Sequence, residues 1–286
     1  MFDKPDAKIL EINSKSGLYP LYCAYSLYRR KLGDVPEDAV TPAALAKLWR
    51  EVIARSLFVV CKTPMAATIT KRTLVGYDEK ATVNAQYIKN LVELLKNNPK
   101  KFYNKVCGGN AWNNKEFEMK MLKFDAVVGN PPYQEDDGGF ASSASPVYQL
   151  FVDAATSLQP HCATLITPSR WFVGGKGLDD FRSRLLSDHH LRLLVDFPLL
   201  YEPFSNVKIR GGISYFLWDG DYNGPCLVTT MEGGKSAGKS VERYLDEFDI
   251  LVRRNEAVPI LRKVRKQNET TMDAEVSSRK PFGLPT

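Results

Sequence analysis

Apolar positions along this chain alternate between short continuous runs and helical spacing, and that alternation predicts a layered α/β protein. Lys8 to Ile12 reads as a strand. Tyr19 to Leu32 reads as a helix, since Arg29, Arg30 and Lys31 suit the negative end of its dipole and Gly33 is a stop. Pro42 to Ala54 is a second helix, opened by Thr41 as N-cap with Pro42 at the first helical position. Leu57 to Cys61 and Thr73 to Tyr77 are rich in β-branched and aromatic residues and are expected as strands. Asp78 to Leu95 is expected as a helix that Asn97, Asn98 and Pro99 end, and Phe102 to Val106 as a strand. Phe124 to Gly129 is a compact apolar strand running into Pro131.

The second half repeats the alternation. A loop rich in Gly and Ser, Asp136 to Ser145, precedes a helix over Pro146 to Leu158 and a strand over Ala163 to Thr167. Leu178 to Leu186 is expected as a helix and Leu191 to Phe197 as a strand. Gly212 to Asp219 and Cys226 to Met231 are expected as two strands joined in a hairpin around Asp221 to Gly224. The strand–helix repeats predict a mostly parallel sheet flanked by helices, and the late pair an antiparallel C-terminal edge. Gly233 to Ser240 is small, polar and basic, so the expected division is one domain over 1–232, then a linker and basic C-terminal segment over 233–286.

Composition narrows the class. With 44% hydrophobic and 25% charged residues over 286 positions, the chain has enough apolar material for a sizeable core and is not of disordered type. Its longest apolar runs, such as Phe58 to Cys61 and Ala163 to Ile166, fall far short of the roughly 20 residues that cross a bilayer. The N-terminus lacks the basic-then-apolar order of a signal peptide, and five dispersed cysteines with three histidines give no zinc-ligand spacing. The expectation is a cytoplasmic protein with reduced, buried thiols, no structural metal and no membrane segment. Lys plus Arg exceeds Asp plus Glu by 39 to 33, a balance of +6 that suits a polyanionic partner.

The chemistry concentrates in Asn130-Pro131-Pro132-Tyr133, directly after the strand Phe124 to Gly129. Ligands of open α/β sheets bind beyond the carboxyl ends of the strands. Two prolines fix the turn and contribute no backbone donors, so a carbonyl and the Asn130 amide can face one amino group as paired acceptors, with Tyr133 available for stacking. A rigid turn closing a buried strand is the equally weighted structural alternative.

This tetrapeptide, with Phe124 to Gly129 before it, resembles the catalytic motif of amino-group methyltransferases that use S-adenosylmethionine. The chain is most similar to the adenine-N6 DNA methylases of type II restriction-modification systems, in the group whose methylase can be fused to an endonuclease. The likeness extends to Leu165 to Phe172 and to Ser278 to Gly283. It implies a Rossmann-like methyltransferase fold. It implies that Asn130 and the Pro131 carbonyl receive the adenine N6 amino group, that Pro132 stiffens the turn, and that Tyr133 stacks on an adenine flipped out of double-stranded DNA. Methyl transfer would be direct, without a covalent enzyme intermediate.

The resemblance places the cofactor beside Glu11, Asn13, Ser16 and Gly17. Here Lys15 stands where the family has its first glycine, and Ile12 where it has proline. Asp78, with Glu79 behind it, is the implied acceptor of the cofactor ribose, although an aspartate opening a helix is the plainer reading of Asp78. Asn110 is the implied neighbour of the cofactor adenine. Arg170, Trp171, Lys176, Lys208 and Arg210 are expected at the DNA, although a buried aromatic pair is the more common role of a Trp-Phe sequence such as Trp171-Phe172. In this family a target-recognition domain follows the catalytic one. The ending near Lys280 to Gly283 therefore implies a truncated or fragmentary member that relies on a missing recognition domain or a companion restriction subunit. Two other functions compete: methylation of RNA or of a protein glutamine, and a degenerate, non-catalytic scaffold or DNA-binding subunit.

Overall fold

The computed structural model describes residues 4, 6–135, 145–199, 201–204 and 209–267. Strand β1 (Ile9–Ser14) is buried at all its positions. It leads through Gly17 into α1 (Leu18–Leu32), which Gly33 ends as expected. Helix α2 (Pro42–Ser56) opens on Thr41, whose hydroxyl accepts the Ala44 N–H at 3.3 Å, and delivers the chain into β2 (Leu57–Cys61).

The next stretch corrects the expectation. Thr73 to Tyr77 is not a strand. Helix α3 (Pro64–Val75) runs through its first half, capped by the Thr63 hydroxyl and Pro64 at one end and by Gly76 at φ 57° at the other. The caps and the packing of α3 on α1 and β1 outweigh the β-branched run, because strand propensity largely reports packing context. Asp78 to Leu95 is likewise not one helix. It holds the edge strand β3 (Asn84–Tyr87) and the short helix α4 (Leu91–Asn97). Asn84 anchors the strand by donating to the Ala54 and Leu57 carbonyls at 2.8 and 3.2 Å. Phe102 to Val106 lies inside helix α5 (Pro99–Cys107), where Asn98 and Pro99 form a helix start, and Phe102 and Val106, four residues apart, share its buried face.

Strand β4 (Ala126–Gly129) then carries the chain to the Asn130 turn. A short ladder of β5 (Gln134–Glu135) and β6 (Ser145–Pro146) follows; residues 136–144 of the expected Gly/Ser loop lie outside the described residues. Next come α6 (Tyr148–Ser157), β7 (Cys162–Pro168), a 3-10 turn over Ser169–Phe172, α7 (Asp179–Leu186), β8 (Leu191–Phe197), β9 (Ile213–Asp219) and β10 (Cys226–Glu232). The short strands β11 (Lys235–Ser236) and β12 (Val241–Arg243) precede helix α8 (Ala257–Arg265).

The sheet order is β11-β10-β8-β9-β7-β4-β1-β2-β3, with β12 also paired to β10. Strands β3, β2, β1, β4 and β7 are parallel, and β9 inserts antiparallel between β7 and β8. The fold class expected from sequence, a mostly parallel sheet with an antiparallel C-terminal region, is therefore found. The hairpin around Asp221 to Gly224 is not: β9 and β10 are separated by β8, to which β10 pairs in parallel. Gly233 to Ser240 is mostly exposed, as a linker would be, yet β11 within it pairs antiparallel with β10, and β12 just beyond does the same.

One large core, centred on Phe58, Phe102, Phe151, Trp171 and Phe216, lies between one face of the sheet and helices α4 to α7. A second, around Ile9, Leu27, Ile53 and Leu74, lies under α1, α2 and α3. No helix among the described residues is long and apolar enough to cross a membrane.

Candidate active site

The carboxyl ends of β1 and β4 lie side by side, and a hydrogen bond ties the end of β1 to the turn beyond β4. Asn13 adopts φ 82° and its side-chain amide donates to the Asn130 carbonyl at 3.1 Å. This couples the end of β1 to the Asn130 turn at one sheet edge. No hydrogen bond among the described residues engages the Asn130 carboxamide, so its oxygen remains available as an acceptor. Pro131 is buried, and Pro132 and Tyr133 are half-buried. The Tyr133 carbonyl accepts from Val147 N–H at 3.2 Å, which fixes the far end of the turn. Its phenol is buried with no hydrogen-bond partner among the described residues, and burial pushes its pKa up.

Two hollows flank this turn. On the α1 side, Tyr19, Tyr22, Cys23, Gly129, Ile166 and Tyr215 line an apolar one of about 330 Å³. On the other side, Tyr133, Tyr148, Pro168, Arg170 and Arg210 line one of about 420 Å³ with two cationic side chains.

The turn after β1 is tightly built. Ser14 Oγ accepts from Gly17 N–H and from the Thr70 hydroxyl, both at 3.1 Å, and the Thr73 hydroxyl donates to the Ser16 carbonyl at 2.6 Å. Gly17 sits at φ 77°, and a Cβ there would meet Thr70 Cα at 2.9 Å. The glycine is thus demanded by the backbone of α3 at this point. Lys15 and Ser16 are exposed, so the lysine that replaces the family's glycine points outward. Beneath the turn Glu11 is 3% exposed; one carboxylate oxygen has no partner among the described residues, and burial lifts the carboxyl to about 7 against the pull of Ser14.

Other expected residues do not join this edge. Asp78 follows α3 at the opposite, amino edge of the sheet, where Arg50 of α2 binds it at 2.6 Å and holds its carboxyl below the usual range. Glu79 accompanies it. The expectation fails because the segment leading to Asp78 is helix and not strand. The second strand ends at Cys61, followed by Lys62, with no carboxylate. Asn110 holds a local turn by accepting from Met119 N–H at 2.7 Å, in a segment whose Asn113 and Asn114 bind the start of β3, again at the amino edge. Trp171 is fully buried, edge-on to Phe172 with centroids 4.7 Å apart, so it is core and not a DNA contact. Arg170 is half-buried at the cationic hollow, while Arg210 and Lys176 are exposed. Lys208 and the Ser278 to Gly283 stretch lie outside the described residues.

Sequence reasoning missed one buried network. Asp196 of β8, 1% exposed, accepts from the Ser169 hydroxyl at 2.7 Å and faces Arg253 Nε at 2.8 Å. Burial raises its carboxyl while Arg253 and Ser169 oppose the shift. A lone aspartate inside an apolar strand, Leu194-Val195-Asp196-Phe197, was the available signal.

Residues 55–204, slightly more than half of the chain, match the model of the Eco57I restriction-modification methylase family. The chain belongs to this family. The matched span of this Eco57I-family chain runs from the end of α2 through β8 and includes Asn130 to Tyr133, Arg170 and Asp196. The chain is 32% identical over 125 residues to an uncharacterized adenine-specific methylase of Mycoplasma pneumoniae (strain ATCC 29342 / M129 / Subtype 1), covering 43% of this chain and 29% of that protein. It therefore spans less than a third of that relative's length. Among solved structures, the M protein of the type I restriction enzyme EcoKI superimposes with a TM-score of 0.52 at 12% identity, over 86% of this chain and 48% of that one. A nuclease-deletion mutant of the type ISP restriction-modification enzyme LlaGI, in complex with a DNA substrate mimic, gives a TM-score of 0.54 at 11% identity, over 90% and 29%. At such identities the superpositions establish the shared fold.

Proposed function

We propose that this Eco57I-family chain is the catalytic portion of a type II restriction-modification methylase and transfers a methyl group from S-adenosylmethionine to the N6 amino group of adenine in DNA. The Asn130 to Tyr133 turn carries the reading: it stands at the carboxyl edge, bonded to the end of β1, with an accessible acceptor and a hollow on each side. The Asn130 amide oxygen and the Pro131 carbonyl accept the two N–H groups of the target amine. That holds its lone pair toward the electrophile and stabilises the positive charge that develops on nitrogen. Tyr133, on the wall of the cationic hollow, packs against a base extruded from the duplex.

The end of β1 and the turn after it fit the cofactor at its cationic amino-acid end. Glu11 offers a buried carboxylate oxygen without a partner among the described residues, and Asn13, Ser16 and Gly17 form the strand end and turn above it. When bound, S-adenosylmethionine supplies an electrophilic methyl group. The chain's own task is to orient the acceptor nitrogen and exclude water. We assign this machinery to residues 1–232, braced by the segment after them, and assign the reading of DNA sequence to polypeptide outside this sheet.

Radiolabelled methyl transfer to unmodified mixed-sequence double-stranded DNA, with Asn130→Ala in parallel, tests the proposal. The expected result is label on adenine N6 that falls by at least about 100-fold in the variant, the scale of losing an oriented charge-stabilising group. Label on RNA or on a glutamine peptide instead of DNA would reassign the substrate. Cofactor binding with no transfer to any acceptor would leave a scaffold.

A further inference from the structure

Arg170 and Arg210 line two hollows at once. One is the roughly 420 Å³ hollow walled by Tyr133. The other, about 470 Å³, is walled by Ser169, Phe172, Gly211, Leu251 and Arg253. Among the described residues neither guanidinium has a hydrogen-bond or ion-pair partner. No carboxylate lines either hollow. The third arginine is different. Arg253 is paired with buried Asp196, donates to the Gly211 carbonyl at 2.5 Å, and stands 5.2 Å over the Phe172 ring. Leu251 N–H donates to the Phe172 carbonyl at 2.9 Å, and the Thr230 hydroxyl to the Arg253 carbonyl at 3.1 Å. The segment 251–253 is thereby fastened at Leu251 to the turn that carries Arg170 and at Arg253 to β10.

From this arrangement we infer that the second hollow seats a DNA phosphodiester flanking the acceptor adenine, bound by Arg170 and Arg210, with Asp196 as the positioning residue. The inference rests on the adenine reading of the Tyr133 hollow. The two hollows meet at the same two arginines, so a base in one places its adjoining phosphate in the other. Two guanidiniums without a partner among the described residues give the forked, charge-assisted donors that a phosphate takes. Asp196 does two things. Through Ser169 it fixes the residue before Arg170, and through its charge it keeps Arg253 in the wall instead of on the anion.

The test uses fluorescence anisotropy of the full chain with thymine-run oligonucleotides holding one adenine and one uncharged methylphosphonate linkage, stepped along the strand. Neutralising one linkage adjacent to the adenine is expected to weaken binding about 10-fold, with under about 2-fold change four linkages away. Arg210→Ala and Arg170→Gln should each weaken binding to the all-phosphate strand by a similar factor and erase the effect of the neutral linkage. Asp196→Asn, which keeps a partner for Ser169 but frees the Arg253 charge, should tighten binding about 3-fold and steepen the salt slope by about one. A purely structural aspartate would only weaken it. A full neutral-linkage effect in the double variant Arg170→Gln/Arg210→Ala, an equal effect at every linkage, or no measurable binding each overturns the inference. Because these measurements need no methyl transfer, a failed methylation assay with the local linkage effect intact rejects the chemistry and retains the phosphate seat.

Discussion

The two sides of the Asn130 turn are built on opposite principles. Toward β1, the Ser14–Gly17 turn is closed by one hydroxyl-mediated bond, locked against α3 by two more and by a glycine with no room for a methyl group, and it covers a carboxylate buried from solvent. Toward β7, the wall is open and cationic, and two of its arginines, Arg170 and Arg210, reach into space without described partners. Close packing sets the geometry on one side, and uncompensated charge is held ready on the other. Substitutions of the packed groups on the first side should therefore change folding stability, and substitutions of Arg170 or Arg210 on the second should change binding.

The largest break is expected at Gly17. Gly17→Ala forces a Cβ onto Thr70 Cα at a positive φ and should destabilise the fold by about 3 kcal/mol in urea titration. Gly175→Ala, at φ 79° with nothing near its Cβ, should cost about 1 kcal/mol, and an equal loss at both would refute close packing as the cause.

Glu11 gives the next effect. Its carboxyl titrates near 7 in the fold against 4.5 as the ordinary value. Between those values the native protein keeps a proton that the unfolded chain has released, so stability falls as pH rises through this window and levels off above 7. Glu11→Gln should flatten that slope and stabilise the protein by about 2 kcal/mol at pH 8. A variant with the parent's pH profile would show the carboxylate to be hydrated. Tyr133→Phe removes a buried hydroxyl that has no partner among the described residues, and thermal unfolding should show a gain of up to about 1 kcal/mol. Arg210→Ala should shift stability by less than about 0.5 kcal/mol while weakening DNA binding, which completes the contrast.

Sequence pattern locates both turns at the sheet edge because short buried strands and proline pairs are written locally. Leu57 to Cys61 and Leu191 to Phe197 are strands at the boundaries read from their apolar runs. The stretch between Thr63 and Val106 misleads because caps and tertiary packing decide there, and threonine-rich α3 carries the composition of a strand. Displacing α3 displaces Asp78 with it, from the functional edge to the opposite one. The Asp196–Ser169–Arg253 network joins residues 27 and 57 positions apart, a distance over which no periodicity carries information.

The place of β8 between β9 and β10 has one more consequence. Because its neighbours arrive later in the chain from both sides, a polypeptide severed within 220–225 would leave β8 with a naked row of amides and carbonyls. That edge would recruit any extended segment nearby, its own missing piece or a stranger's. Two fragments meeting at that point could therefore find each other and zip into one sheet, and the same exposed seam would make the shorter fragment alone prone to clump.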